Sequence, residues 1–229
     1  MTHAFPIGID LPLLQFFNGS DSLFLDGMMT ALTNGFTWVP LYLALLYMVI
    51  KNNETMQQIF LTIGCLLLCI LLADGMADGI AKPFFARLRP SHDPLVMERL
   101  DFVGIRGSGY SFFSAHAANT MSLAVFFCLL VRNRIFNFFM IAWSLLNGYT
   151  RLYLGVHYPS DVLVGFLWGA VSGFIAYLVW RKVYFKISPG LNYVSSQYTR
   201  TGYALSDADV VIAVMAFTFI YSMVFAIVG

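Results

Sequence analysis

The feature that most constrains this chain is a series of long apolar runs separated by short polar connections. Residues 57–81 and 208–228 are the clearest examples, and each is long enough to cross ~30 Å of hydrocarbon as a helix. Only 11% of the residues are charged and 59% are hydrophobic, whereas a soluble domain carries about a quarter charged residues. We therefore expect an integral membrane protein.

The apolar runs predict an all-α fold, a polytopic membrane helix bundle with about six transmembrane helices. An N-terminal segment, residues 10–33, mixes Leu, Phe and Met with three aspartates, which favours an interfacial or re-entrant helix over a seventh span. We accordingly divide the chain into an N-terminal helix segment (1–35), a transmembrane core (36–182) and a C-terminal loop and helix (183–229). The six predicted spans lie at about 36–50, 57–81, 113–131, 135–150, 160–182 and 208–228.

Two connections, residues 82–112 and 151–159, hold an unusual density of charged residues and histidine, and with six spans they emerge on the same face. Counting cations does not orient the chain, because this face has six and the other has seven. If Lys82, Arg89 and Arg151 are retained for chemistry, the comparison becomes three against seven. The polar face is then expected outside the cytoplasm.

The first polar segment is DGMADGIAKPFFARLRP, residues 74–90. Asp74, Asp78 and Lys82 have helical spacing, and ionisable groups at membrane depth usually face a partner or a cavity. The plain alternative is an Asp78–Lys82 ion pair at the end of a span. Arg87, Arg99 and Arg106 of the loop are undecided between headgroup recognition and solvation.

The second segment is YSFFSAHAANTMSLAVFF, residues 110–127. Ser114 is a suitable N-cap for the following helix, which places His116 in a first turn whose N–H groups favour an anion. The alternative is a helix cap followed by an interfacial histidine.

The third segment is RLYLGVHYPSD, residues 151–161. Pro159 suits the first position of the next helix, so His157 and Asp161 lie four residues apart across its start. The carboxylate can then accept a hydrogen bond from the imidazole, which leaves the other ring nitrogen free to attack or to transfer a proton. A purely structural His–Asp contact remains the alternative for this segment alone.

Together the three segments resemble the type 2 phosphatidic acid phosphatase superfamily, which also includes the vanadium haloperoxidases. Lys82 to Pro90 matches its K-x6-R-P signature, FSAH at 113–116 is similar to P-S-G-H, and TRLYLGVHYPSD at 150–161 is similar to S-R-x5-H-x3-D. The departures from the family pattern are Phe113, Ala115 and Thr150. We interpret them as adjustments of the site rather than its loss, because every charged and histidine position is retained.

The resemblance implies a role for each matching residue. His157 would be the nucleophile that forms a phosphohistidine, Asp161 would orient it, and His116 would protonate the leaving oxygen and then activate water. The implied phosphate-binding groups are Lys82, Arg89, Ser114, Ala115 and Arg151. It implies no cofactor and no metal, and His3 and His92 are isolated in the sequence rather than clustered as ligands.

We therefore expect a lipid phosphatase of a bacterial cytoplasmic membrane that hydrolyses a phosphomonoester or diphosphate headgroup. Undecaprenyl diphosphate, phosphatidylglycerophosphate, phosphatidic acid and lipid A phosphates all fit this description, and no residue discriminates them. A lipid phosphotransferase and a non-catalytic transporter or scaffold are the alternatives. The net charge of +1 gives no reason to expect a nucleic acid partner, and the oligomeric state is left open.

Overall fold

The secondary structure of the chain is helical, apart from one isolated β-bridge between Tyr198 and Ala204, in a computed structural model that describes residues 7–104, 106–187 and 196–228. The predicted all-α membrane bundle is confirmed. We label the main helices α1 (Ile7–Phe17), α2 (Leu23–Thr33), α3 (Val39–Lys51), α4 (Met56–Met76), α5 (Ala115–Val131), α6 (Arg134–Tyr153), α7 (Pro159–Ile187) and α8 (Leu205–Val228).

Each of the six predicted spans corresponds to one helix, α3 to α8. Within the described residues, α4 with its continuation, α7 and α8 are individually long and apolar enough to cross a membrane. Helices α2 and α3 meet this criterion only together, as a pair bent by 68°, and they form a fourth span when the pair is counted as one. Helix α5 is apolar but has 17 residues, and α6 carries polar residues near its C-terminal end.

The N-terminal segment forms two helices instead of one. Helix α2 begins after Ser22, whose hydroxyl accepts the N–H of Leu25, and it leads into α3 through a 3-10 turn at Gly35–Trp38. It packs along α8, so α2 is part of the helix bundle. The predicted boundary at residue 182 falls within α7, which continues to Ile187.

Helix α4 does not stop where its α-helical geometry ends. It passes through a π-helical turn at Ala77–Ala81 and one further helical turn at Lys82–Phe85, after which Ala86 adopts a left-handed conformation. A π-turn inserts one extra residue and rotates the next turn of the helix about its axis. The charged residues of this segment therefore do not share the single stripe that regular helical spacing would give.

Three glycines of α7, spaced four residues apart, bring its backbone against that of α5. A Cβ atom at Gly165 would lie 2.6 Å from the carbonyl oxygen of Ser114, and one at Gly169 would overlap the carbonyl oxygen of Ala118. Gly173 meets the carbonyl oxygen of Ser122 in the same way. Small residues at this spacing allow membrane helices to approach closely. We call this contact the glycine seam, and it fixes the start of α5 beside the start of α7.

The outer surface of the bundle is apolar. Many large hydrophobic side chains are more than half exposed although the chain has a well-formed core. Exposure of this extent suits a surface in contact with lipid. Examples are Phe60, Leu67, Leu71, Phe138, Leu163, Phe217 and Ile227.

Candidate active site

His157 lies in the short loop between α6 and α7, where it is 2% exposed. The loop turns at Gly155, whose φ of +65° is a left-handed conformation that favours glycine. Helix α7 begins at Pro159, as predicted, and this places Asp161 in its first turn. The Nδ1 atom of His157 is 3.5 Å from Oδ2 of Asp161, so the predicted pair is formed.

The other ring nitrogen of His157, Nε2, contacts Arg89. The Nη1 atom of Arg89 is 3.2 Å from Nε2 of His157, and it also donates to the carbonyl oxygen of Val156. A guanidinium has only donors, so Nε2 must be the acceptor and the ring proton must lie on Nδ1, facing Asp161. His157 is therefore a neutral imidazole whose Nε2 lone pair points at a cation.

Burial also favours the neutral ring. Desolvation is the largest influence on the pKa of His157, and the positive charges of Arg151 and Arg89 act in the same direction. The carboxylate of Asp161 opposes them, yet the pKa falls to about 4. The imidazole consequently keeps its lone pair at neutral pH, as a nucleophile requires.

A glycine in the long loop allows Arg89 to reach this position. The Nε atom of Arg89 donates to the carbonyl oxygens of Ser108 and Gly109, at 3.0 and 3.3 Å. A Cβ atom on Gly107 would lie 2.5 Å from Nη1 of Arg89 and 2.7 Å from Val156. A side chain at residue 107 would therefore displace the guanidinium of Arg89 or the side chain of Val156.

Two residues that no sequence motif indicated complete the surroundings of Asp161. The hydroxyl of Ser111 donates to Oδ2 of Asp161, and Nη1 of Arg87 donates to Oδ1 at 2.6 Å. Arg87 is buried, with 8% exposure, so it neither projects toward headgroups nor is solvated. Its RLRP context carries no signal that distinguishes it from the other loop arginines, and only the fold identifies its partners.

The second histidine lies on α5, beyond the Ser114 cap. Ser114 caps the helix by accepting the N–H of Ala117, and its own N–H donates to the carbonyl oxygen of Asp161 at 3.1 Å. Nε2 of His116 is 3.3 Å from Oδ1 of Asn147. Because the amide nitrogen of Asn147 donates to Trp143, Oδ1 is an acceptor and Nε2 of His116 carries a proton.

Arg151, the last charged residue of α6, is held by both its side chain and its backbone. Its Nη1 atom donates to the hydroxyl of Thr33 at 2.7 Å, and its carbonyl oxygen accepts the N–H groups of Val156 and His157. Its buried Nε has no hydrogen-bond partner among the described residues. Arg151 therefore has a donor left for a ligand.

Lys82 is placed differently from the other predicted phosphate ligands. It forms an ion pair with Asp78, one turn earlier on the extension of α4, and Asp74 accepts a hydrogen bond from Asn119 instead. The plain alternative, an ion pair at the end of the span, is thus what the structure contains. Within the described residues, no hydrogen bond joins Lys82 to His157, Asp161 or Arg89.

His116 also borders a cavity that opens between the helices. The cavity has a volume of about 390 Å³, and apolar side chains of α3, α4 and α5 form part of its wall. Its lining residues are Gly35, Tyr42, Ile70, His116, Asn119, Thr120 and Leu123.

Residues 62–185 match the PAP2 superfamily, and they contain the three polar segments described above. The chain belongs to the PAP2 superfamily. It is 38% identical to the lipid A 4′-phosphatase of Bacteroides thetaiotaomicron over 177 residues, which are 76% of this chain and 78% of the relative. It is 34% identical to the lipid A 4′-phosphatase of Porphyromonas gingivalis, with coverage of 71% and 69%. This PAP2 chain is a membrane phosphatase.

The fold is also similar to a solved structure. Aquifex aeolicus LpxE superimposes with a TM-score of 0.59 over 77% of this chain and 98% of that chain, at 24% sequence identity. At this identity the likeness concerns the arrangement of helices.

Proposed function

We propose that this PAP2 phosphatase hydrolyses a lipid phosphomonoester through a phosphohistidine on His157. The observation that carries the proposal is the neutral imidazole with Asp161 on one side and the Arg89 guanidinium on the other. A guanidinium directly beside the Nε2 lone pair can hold a phosphate where that lone pair can attack it.

In the first step, Nε2 of His157 attacks phosphorus, a P–N bond forms, and the P–O bond to the lipid breaks. The ring becomes cationic, and its Nδ1 proton stays directed at Asp161. His116 enters this step as the imidazolium, which the negative charge of the bound phosphate favours, and donates a proton to the leaving oxygen, which departs as an alcohol while His116 becomes neutral. In the second step His116 takes a proton from water, whose oxygen attacks phosphorus, and the P–N bond breaks to release phosphate and neutral His157.

The charge on the phosphate oxygens requires several donors in this scheme. Arg89 contacts Nε2 of His157, the charge of Arg151 acts on the same ring, and the buried Nε of Arg151 has no hydrogen-bond partner among the described residues. The start of α5 adds the N–H groups of Ala115 and His116, which have no acceptor within the helix, and the Ser114 hydroxyl. Lys82 would join them by exchanging Asp78 for the phosphate.

Among lipid phosphates, the 4′-phosphate of lipid A is the substrate we propose first. Support comes from the names of the two relatives that cover about three quarters of the chain. Other relatives act on phosphatidylglycerophosphate in Bacillus subtilis and on undecaprenyl diphosphate in Sulfolobus acidocaldarius, as their names state. These two lipids, with phosphatidic acid, therefore form the comparison panel.

We further propose that the protein lies in the cytoplasmic membrane of a bacterium with the His157 face toward the periplasm. The support is the distribution of cations, seven against three once the phosphate-binding candidates are set aside. The apolar wall of the cavity beside His116 suits entry of a lipid chain from the bilayer.

The test is phosphate release by the purified protein in detergent, with EDTA present, across the four lipids. We expect turnover of the lipid A 4′-phosphate, inhibition by vanadate, and acid-labile, base-stable phosphate on the protein after rapid quenching. His157→Ala should lose turnover and labelling, whereas His92→Ala, an exposed loop histidine, should keep both. Full activity of His157→Ala would refute the nucleophile assignment.

Two alternatives predict other results in the same assay. A phosphotransferase would transfer phosphate to an added acceptor lipid and give a new phosphorylated lipid instead of free phosphate. A transporter or scaffold would show neither turnover nor inhibition by vanadate.

A further inference from the structure

Arg87 is a buried cation that the proposed reaction does not use directly. Its two terminal nitrogens are both committed: Nη1 to Asp161 and to the Ser160 hydroxyl, at 2.6 and 2.7 Å, and Nη2 to Asp10 at 2.6 Å. Its guanidinium also lies 3.9 Å above the centre of the Tyr158 ring. A guanidinium with these partners is not a candidate for binding phosphate.

Because of the contact with Arg87, the two oxygens of the Asp161 carboxylate have different partners. Oδ1 accepts from Arg87, while Oδ2 accepts from the Ser111 hydroxyl and the Tyr158 N–H and lies near Nδ1 of His157. A carboxylate held at both oxygens cannot rotate. The contact with Arg87 therefore keeps Oδ2 directed toward the imidazole.

Asp10 of α1 anchors this arrangement from the far end of the sequence. Its Oδ2 atom accepts from Arg87 and from the Ser160 hydroxyl, and its Oδ1 atom accepts the Ser160 N–H at 3.0 Å. Ser160 is the second residue of α7, so Asp10 also places a negative charge at a helix N-terminus, where it is favourable. Both Asp10 and Arg87 are less than a tenth exposed.

The charges of this group suit the chemistry of His157. A fully buried carboxylate without a cation would tend to take up a proton, and Arg87 opposes this. Arg87 alone would cancel the charge of Asp161, but Asp10 restores it, so Asp10, Arg87 and Asp161 together carry one negative charge. That charge faces a ring that becomes cationic when the P–N bond forms.

We infer that Arg87, held by Asp10, is a positioning residue for Asp161 and through it for the imidazole of His157. Helix α1 is consequently part of the catalytic unit. This inference rests on the roles proposed above for His157 and Asp161.

The test is a double-mutant cycle on the full chain in detergent, with kcat and KM measured for the lipid of the four-lipid panel that the unmodified protein turns over fastest. Asp161→Asn should lower kcat at least ~100-fold, since it removes the group that orients the imidazole. Arg87→Gln should lower kcat by about 10- to 100-fold, a loss typical of outer-shell orienting residues, with KM changed less than threefold. The double variant should be no slower than Asp161→Asn alone, because Arg87 acts through Asp161.

Three further variants make the test specific. Arg87→Lys should not restore kcat, because an ammonium lacks the fork that reaches both carboxylates. Asp10→Asn keeps the shape of the side chain and should lower kcat without a matching rise in KM. Arg99→Gln removes an exposed arginine of the same loop and should match the unmodified protein.

The outcomes separate the inference from the proposed function. Full kcat in Arg87→Gln, with an impaired Asp161→Asn, would overturn the inference alone. Losses that multiply in the double variant, with a lower Tm in proportion, would show that Arg87 only stabilises the fold. Full kcat in Asp161→Asn would overturn the role of Asp161 in the proposed function, and the inference with it.

Discussion

The Nη1 atom of Arg89 lies 3.2 Å from Nε2 of His157. A permanent cation at this distance opposes protonation of the nitrogen it faces, while it attracts an anionic substrate to the same place. In the proposed reaction, this one contact keeps the nucleophile unprotonated and holds the phosphate next to it.

The first prediction concerns stability at acid pH. The pKa of His157 is lowered to about 4 in the folded protein, against 6.5 ordinarily. Between these two pH values His157 is protonated in the unfolded chain but neutral in the folded protein. The contribution of the neutral ring to the free energy of unfolding is therefore complete above pH 6.5 and is lost as the pH falls toward 4. The loss amounts to about 3 kcal/mol.

Denaturation of the unmodified protein and of His157→Gln across pH 4–8 measures this effect. The variant should be less sensitive to acid in this window, and the two should have parallel profiles above pH 6.5. Parallel profiles throughout would contradict the lowered pKa of His157.

The second prediction concerns the glycine beneath Arg89. Gly107→Ala places a methyl group on the guanidinium and should displace it, which lowers kcat/KM by about 10- to 100-fold. Gly64→Ala is the matched control, because a Cβ there meets nothing within 4 Å. Equal activity of the two variants would show that Arg89 can move without loss.

The third prediction concerns the glycine seam between α5 and α7. Gly169→Val should destabilise the protein by about 1–3 kcal/mol, since its side chain would meet the carbonyl oxygen of Ala118. Gly75→Val on α4 has open space around it and should be nearly neutral in the same thermal denaturation. A tolerated valine at residue 169 would mean that the two helices can separate without cost.

The fourth prediction concerns the competition for Lys82. Asp78→Asn removes the partner of the ammonium and should strengthen vanadate inhibition severalfold, because half-exposed ion pairs contribute about 0.2–1 kcal/mol. The gain should disappear in Asp78→Asn combined with Lys82→Met. No gain in the single variant would argue that Lys82 stays away from the phosphate.

The parts of the site that could be predicted from the sequence are those encoded locally. Ser114 and Pro159 are helix-start signals, and the spacing of His157 and Asp161 across such a start is enough to pair them. The spacing of Asp78 and Lys82 likewise indicated their ion pair, whereas the family motif alone suggested only a phosphate ligand at Lys82.

Contacts between distant segments were not predictable in this way. Arg87 meets Asp10 across 77 residues of sequence and Asp161 across 74. Ser111 and Gly107 lie in the long loop, where no periodic pattern indicates which residues turn inward. These contacts depend on the tertiary fold, because Arg87 can reach Asp10 and Asp161 only when the helices that carry the two carboxylates are packed together.

The link between α1 and α7 has a consequence for biosynthesis. The ribosome delivers Asp10 to the membrane 150 residues before Ser160, the helix-start residue that it caps. Until α7 is synthesised and inserted, Asp10 has no Ser160 N–H to cap, Arg87 lacks one of its two carboxylates, and Nδ1 of His157 lacks its Asp161 partner. The contacts that hold Asp161 beside His157 are therefore completed only by the insertion of α7, and under the roles proposed above a nascent chain does not yet act on the surrounding lipid.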